Sequence, residues 1–181
     1  MAVMRAFALS AVGRDRPGIV AGVTGVLLDH GINIQDSQMT ILRGRFAMTL
    51  VVAAQDDTDI AALRADLEQA GTGLELDAVA IEEIGEDAED GPDPSHIVSV
   101  YGVDHPGIVH AVSSALADRR WGITDLDTRV LGDESNPLYM MVLEVALPEG
   151  TSDEELSSVL STVGDEQGVE ITSRPLESDT L

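Results

Sequence analysis

The six residues Asp15-Arg16-Pro17-Gly18-Ile19-Val20 return 89 positions later as Asp104-His105-Pro106-Gly107-Ile108-Val109, and the chain around each copy follows one plan. Aligned without gaps, Asp15 to Asp36 and Asp104 to Asp125 share ten identities in 22 positions, among them Val23/Val112, Leu27/Leu116, Asp29/Asp118 and Ile34/Ile123. Chance does not produce such a match, so the 181 residues are two copies of one unit. A unit of roughly 85 to 90 residues has a thin core. Pairing, either between the copies or in a homodimer, is therefore expected.

Hydrophobic spacing gives both copies the same element order. Met4 to Val12 is rich in β-formers and small apolar residues and reads as a buried strand, with Gly13 to Arg16 as the turn after it. Pro17 suits a first helical turn, where its missing N–H costs nothing, and Ile19, Val20, Val23, Val26 and Leu27 follow on one helical face. Gly18, Gly22 and Gly25 lower helix propensity and point to close backbone approach or a packed neighbour; His30-Gly31 is a stop. Ile32 to Leu42 reads as a strand with neither side wholly apolar, which fits an edge or an interface, and Arg43-Gly44-Arg45 is a hairpin turn into the apolar strand Phe46 to Ala54. Thr58 caps a helix from Asp59 to Ala70 with Ile60, Leu63 and Leu67 inward and Gly71 ending it, and Leu74 to Ile84 alternates as a fourth strand.

The order is βαββαβ, a ferredoxin-like α+β unit with an antiparallel sheet and both helices on one face. Residues 1–84 form the first domain, a polar acidic linker occupies residues 85–95, and residues 96–181 form the second. In the second, His96 to Gly102 is a strand, Pro106 to Arg120 a helix and Gly122 to Leu131 a strand. The loop Gly132 to Pro137 is four residues longer than its counterpart, as insertions at loop tips can be. Thr151 to Glu154 looks like a capping box for a helix with Leu156, Val159, Leu160 and Val163 inward; Gly168 to Pro175 is the last strand, and Leu176 to Leu181 a frayed tail.

Composition removes several function classes. The absence of cysteine excludes disulfides, thiol catalysis and thiolate metal sites. A net charge of −23 opposes a phosphate backbone, so direct nucleic-acid binding is not expected. No apolar run reaches the ~18 residues of a membrane span, and Met1 to Leu9 lacks a signal peptide's apolar core; a cytoplasmic protein without a membrane partner is expected. His105 and His110 are five apart, off a common helical face, which argues against a metal pair. No nucleophile elbow or P-loop is present, and Asp125 and Asp127 read more readily as solvated carboxylates than as a cation site. Neither an enzyme, a metal nor a cofactor is expected.

The Asp-Arg-Pro-Gly-Ile-Val turn, the phrase His30-Gly31-Ile32-Asn33-Ile34 entering the second strand, Trp121-Gly122-Ile123-Thr124-Asp125 at the matching place, and the element order together resemble a tandem pair of ACT domains. The resemblance covers nearly the whole chain, and a two-repeat chain of this kind looks most like the glycine cleavage system transcriptional repressor group. It implies an amino-acid-binding regulatory protein that passes its ligand state to a protein partner, a transcription factor or an enzyme, and that acts on amino-acid (glycine) metabolism. Two alternatives stand beside it: a constitutive protein-interaction module, and an in-trans regulatory subunit of an amino-acid-metabolising enzyme.

The residues support a small-ligand reading of the turn. Pro17 sets up a helix start at which the amides of Gly18 and Ile19 favour a carboxylate, and Gly18 lets a ligand approach the backbone. Asp15 can accept from an α-ammonium group, and the Asn33 amide can both donate and accept. Each also has a plain structural reading: Asp15 as a helix cap, Gly18 as a packing residue, Asn33 as the partner of a strand-end backbone group. In the second copy Gly122 and Trp121 stand where Asn33 and Ile32 stood, leaving Asp104 and Gly107 as candidates and Trp121 as an interdomain packing residue.

Overall fold

A computed structural model describes residues 4–85, 91–132 and 137–176. The chain divides into two compact units, Met1–Glu89 and Asp90–Leu181, with the division inside the acidic segment 85–95. The first contains β1 (Met4–Arg14), α1 (Ile19–Asp29), β2 (Asn33–Leu42), β3 (Arg45–Gln55), α2 (Ile60–Gly73) and β4 (Leu76–Glu83). The second contains β5 (His96–Val103), α3 (Ile108–Ala117), β6 (Gly122–Leu131), β7 (Leu138–Ala146), α4 (Asp153–Gln167) and β8 (Val169–Pro175). Each unit is βαββαβ with one antiparallel sheet, ordered β2-β3-β1-β4 and β6-β7-β5-β8.

Alternate residues of the central strands build each core. Phe7, Leu9 and Ala11 of β1 and Phe46, Met48, Leu50 and Val52 of β3 join Ile19, Val23 and Leu27 of α1 and Leu63 and Leu67 of α2 in one buried cluster. Because both helices enter the same cluster, both cover the same sheet face. The second unit repeats this with Val98, Val100, Met141, Leu143 and Val145 under Ile108, Val112, Leu116, Leu156 and Leu160. Each such side chain contributes roughly 1.5–3 kcal/mol on burial, enough for a small domain only because the set is complete. Among the described residues no helix is long and apolar enough to cross a membrane.

Several local expectations are corrected by tertiary packing. β1 runs through Gly13 and Arg14 instead of turning there, because Gly13 lets it pass β4: an added Cβ would lie 2.8 Å from Leu76 Cδ2 and 2.9 Å from Leu76 Cα. Gly102 does the same against Val169, at 2.6 Å from Cγ1 and 3.2 Å from Cα. Gly71 does not end α2; it lies buried inside it, where a Cβ would stand 2.7 Å from Val79 Cγ2. Gly22 faces Leu74 at 2.8 Å, whereas Gly25 faces nothing within 4 Å.

The caps shift by one residue. Asp59, not Thr58, accepts from the Ala62 N–H (3.0 Å), and Ser152, not Thr151, accepts from the Glu155 N–H (3.2 Å). α3 is shorter than Pro106 to Arg120, since Arg120 takes a φ of 59° beyond its end. Val20 is 41 % exposed although its spacing points inward. Trp121 is buried within its own unit's core and carries the Arg119 guanidinium 5.6 Å from its ring centre. Ser95, counted with the linker, belongs to the second sheet: its N–H donates to Val145 O (2.9 Å) and its carbonyl accepts from Leu176 N–H (2.8 Å). The loop tip 133–136 and the tail 177–181 lie outside the described residues.

β2 is an edge strand, and its register slips between Ile34 and Asp36, so the alternation reverses after Gln35. Beyond the slip Ser37, Met39 and Ile41 pair with Leu50, Met48 and Phe46 and therefore share the helix-side face, yet Met39 and Ile41 are each 48 % exposed. β6 repeats the slip between Ile123 and Asp125 and exposes Leu126 and Val130.

Candidate ligand-binding turns

Gly18 and Gly107 take φ 96°, ψ −8° and φ 109°, ψ −17°, the values of glycine at the third position of a Pro-Gly type II turn. A left-handed residue there is why the repeated motif reads Pro-Gly. The turn delivers the chain to the first helix with no side-chain cap in either unit. Asp15 and Asp104 are therefore not caps, and the first amides of α1 and α3 retain their donors at the positive end of the helix dipole. A Cβ added at Gly18 would meet nothing within 4 Å, so the turn is open to solvent. Asp15 is exposed, and its N–H donates to Gly44 O (2.8 Å), which ties the turn to the β2–β3 hairpin. Pro17 is exposed beside it; Ile19 is buried in the core, leaving only its backbone for a ligand.

Asn33 lies elsewhere in the unit. It pairs with Ala53, which pairs with Ala6 at the start of β1, whereas Asp15 follows the Arg14–Arg45 pair at the other end of the sheet. Asn33 and Gly18 thus flank α1, whose eleven residues span about 16 Å at 1.5 Å per residue. Within one unit they do not converge.

The residue after the turn's aspartate performs one task in two chemistries. Arg16 Nη1 donates to Leu74 O (3.0 Å) at the C-cap of α2, and Nη2 donates to Glu75 (3.2 Å). His105 meets the matching place in α4 through Nε2, 2.8 Å from Gln167 O, while Nδ1 lies 3.1 Å from Pro106 O. Only the imidazolium can donate to both carbonyls, and a cation suits a helix C-terminus. The carbonyls of Pro106 and then Gln167 raise the His105 pKa above its ordinary value, with desolvation opposing and Asp104 assisting.

A cleft of about 590 Å³ opens beside the second turn, and Asp104, His105, Gly107, His110, Ser113 and Tyr139 are among its walls. Tyr139 is 7 % exposed; burial, and then the charge of Asp104, push its pKa up. In the first unit a cleft of about 170 Å³ lies between the first helix and β2, walled by Val20, Ile34, Met39, Met48 and Leu50 with the polar Thr24, Ser37 and Gln38; only Val20 and Thr24 match walls of the second unit's cleft, Val109 and Ser113. His110, Ser113 and Tyr139 escaped the sequence reading. The histidine spacing was judged as if both residues were helical, but His105 stands before α3, so the two share one cleft. Asp125 and Asp127 stay on one face of β6, with Asp127 accepting from Arg129 (3.3 Å). Among the described residues no group of three or more His, Asp or Glu could hold a metal ion.

The ACT domain family profile matches twice, at residues 6–80 and 96–173, once on each unit. A UPF0237 protein of Methanopyrus kandleri is 42 % identical over 72 residues, 39 % of this chain and 80 % of that one. A crystal structure of an unknown protein from Galdieria sulphuraria superposes with a TM-score of 0.82 at 29 % identity, covering 96 % of this chain and 99 % of the other. A candidate glycine cleavage system transcriptional repressor gives 0.74 at 19 % identity over 96 % and 98 %, a likeness of fold. With a profile match on each unit and the same βαββαβ order in both, the chain is a tandem member of the ACT domain family, small regulatory modules that bind amino acids.

Proposed function

We propose that this chain is an amino-acid sensor without catalytic activity, which binds its ligand at the Asp-x-Pro-Gly turns and reports occupancy to a protein partner in the cytoplasm. The observation that carries the reading is the pair of uncapped helix starts behind Gly18 and Gly107. Each offers backbone donors to a carboxylate, and Asp15 or Asp104 one residue before the X-Pro-Gly step offers an acceptor to an ammonium group. Control of transcription and of glycine metabolism is the finer form of the proposal. With a charge of −23 the chain would act on transcription through another protein, not by touching DNA.

The position of Asn33 favours a homodimer as part of the site. Two β2 edges paired antiparallel about their midpoints would carry Asn33 of one copy to the Gly44 hairpin of the other, where Asp15 and Gly18 stand. The open edge with exposed Met39, Ile41 and Leu42 supports such a pairing. A thermal-shift screen of the twenty amino acids, with light scattering on the same samples, tests both parts. At least one amino acid should raise the melting temperature of a dimer; no shift with any of them leaves a constitutive interaction module, and a monomer removes Asn33 from the site.

A further inference from the structure

The two units differ in polar side chains at matched positions beside the turn, and those of the second unit line one cleft. Structural register makes Tyr139 the counterpart of Phe46, since they pair with Gly102 and Gly13, respectively. The repeat makes His110 the counterpart of Ala21 and Ser113 that of Thr24. Thr24 spends its hydroxyl on Val20 O (2.8 Å) in its own helix, whereas Ser113 makes no such bond among the described residues. His110 has only a long contact, 3.5 Å from Nδ1 to Ser114 Oγ, among the described residues. The Tyr139 hydroxyl, in a side chain more than nine-tenths buried, donates to the Met141 thioether at 3.6 Å, a weak acceptor. The fold does not require that hydroxyl, because the first unit packs a phenylalanine in its place.

Three underused hydrogen-bonding groups therefore line a single cleft, and each can donate; the His105 imidazolium lies in the same wall. Donors from several directions suit an acceptor-rich group rather than an apolar one or a cation. We infer that the second turn holds an amino acid whose side chain ends in a carboxylate or carboxamide, read by Tyr139, Ser113 and His110. This rests on the turn reading above, with Asp104 and the α3 amides holding the α-ammonium and α-carboxylate groups. The first unit, with Ala21 and Phe46 in the matched places, has no equivalent reader and is expected to lack this preference.

Calorimetric titration of the full chain with L-glutamate, L-glutamine, L-leucine and glycine tests the inference, with the imidazole proton resonances of His105 and His110 reporting occupancy of this cleft. Glutamate or glutamine should bind at least ~10-fold more tightly than leucine and shift both imidazole signals, and the comparison of glutamate with glutamine separates a carboxylate from a carboxamide reader. Tyr139→Phe and His110→Ala each install the first unit's residue. Each should shrink the preference over leucine by ~5–10-fold, and together they should abolish it. Binding of leucine as tightly as glutamine, or an unchanged preference in the double variant, overturns the selectivity assignment while leaving the turn as a binding site. Amino-acid binding that never moves the His105 and His110 signals removes the ligand from this cleft, and no binding of any amino acid overturns both readings.

Discussion

Arg16 and His105 occupy the same place in two copies of one turn, and both reach a carbonyl at the C-terminal end of the second helix in their unit. The arginine holds its charge at every accessible pH; the histidine holds its own only while protonated. Beside them the first helix borders a cleft of about 170 Å³ against β2 in one unit and one of about 590 Å³ against the turn in the other, where His110 and Tyr139 stand in its wall. One backbone thus supports two functional settings, since the helix, turn and sheet are held by buried residues the units share, leaving the rim free to differ. Both units keep an open edge strand, β2 and β6, so the difference lies at the turn: a fixed arginine clamp in the first unit, and a titratable one beside a cleft with its own polar groups in the second.

The shared scaffold predicts equal damage from matched core lesions. Leu67 and Leu160 are both fully buried, so Leu67→Ala and Leu160→Ala should each cost about 2–5 kcal/mol, measured by urea denaturation. Hydrogen exchange should show lost protection in the substituted unit; unequal costs would mean that the cores are less alike than their side chains. The asymmetry of the ligand groups predicts the next largest effect. Asn33→Ala should weaken amino-acid binding by roughly ten-fold, the loss of about 1.5–3 kcal/mol expected for one hydrogen bond to a charged group. Gly122→Ala should do little, because its Cβ would meet Ala146 and Pro92 at an ordinary 3.7 Å. Asp15→Asn tests the opposite end of the ligand, lowering affinity in calorimetry while leaving stability nearly intact, since Asp15 is exposed and does not cap α1.

The turns themselves should respond alike. Gly18→Ala and Gly107→Ala place a Cβ at φ 96° and 109° and should each cost about 1–2 kcal/mol, although neither meets a steric obstacle closer than 3.7 Å. The smallest effect separates the units most clearly. Because the folded-state pKa of His105 is raised, its stabilisation is fully present below the unfolded value of about 6.5 and is lost as pH rises through the folded value. Thermal melts across pH 5.5–8.5 should show this dependence in the wild-type chain, lose it in His105→Arg, and gain a second component in Arg16→His. An unchanged profile in His105→Arg would show that the imidazole does not clamp α4.

Much of the fold was legible because it rests on local chemistry. The repeat, the helical spacing of Ile19, Val23 and Leu27, and the left-handed glycine implied by Pro17-Gly18 depend on neighbours a few residues apart, and the backbone obeys them in both units. Where expectation and structure part, a distant residue intervenes. Gly13 looks like a turn until Leu76 comes within reach, Gly71 like a helix stop until Val79 packs on it, and Val20 like core until β2 leaves that flank open.

The site shows the same boundary. Sequence alone determined two units, their βαββαβ order, the turn chemistry of Asp15 to Ile19 and of its repeat, and a charge hostile to nucleic acid. The helix between Gly18 and Asn33 was already in the sequence; only the tertiary structure brought His105 to Gln167, 62 residues away, and Tyr139 to Asp104. Backbone preferences act between near neighbours and repeat wherever the motif repeats; which side chains share a cleft depends on how strands far apart in the chain are ordered in the sheet, and no local pattern encodes that order.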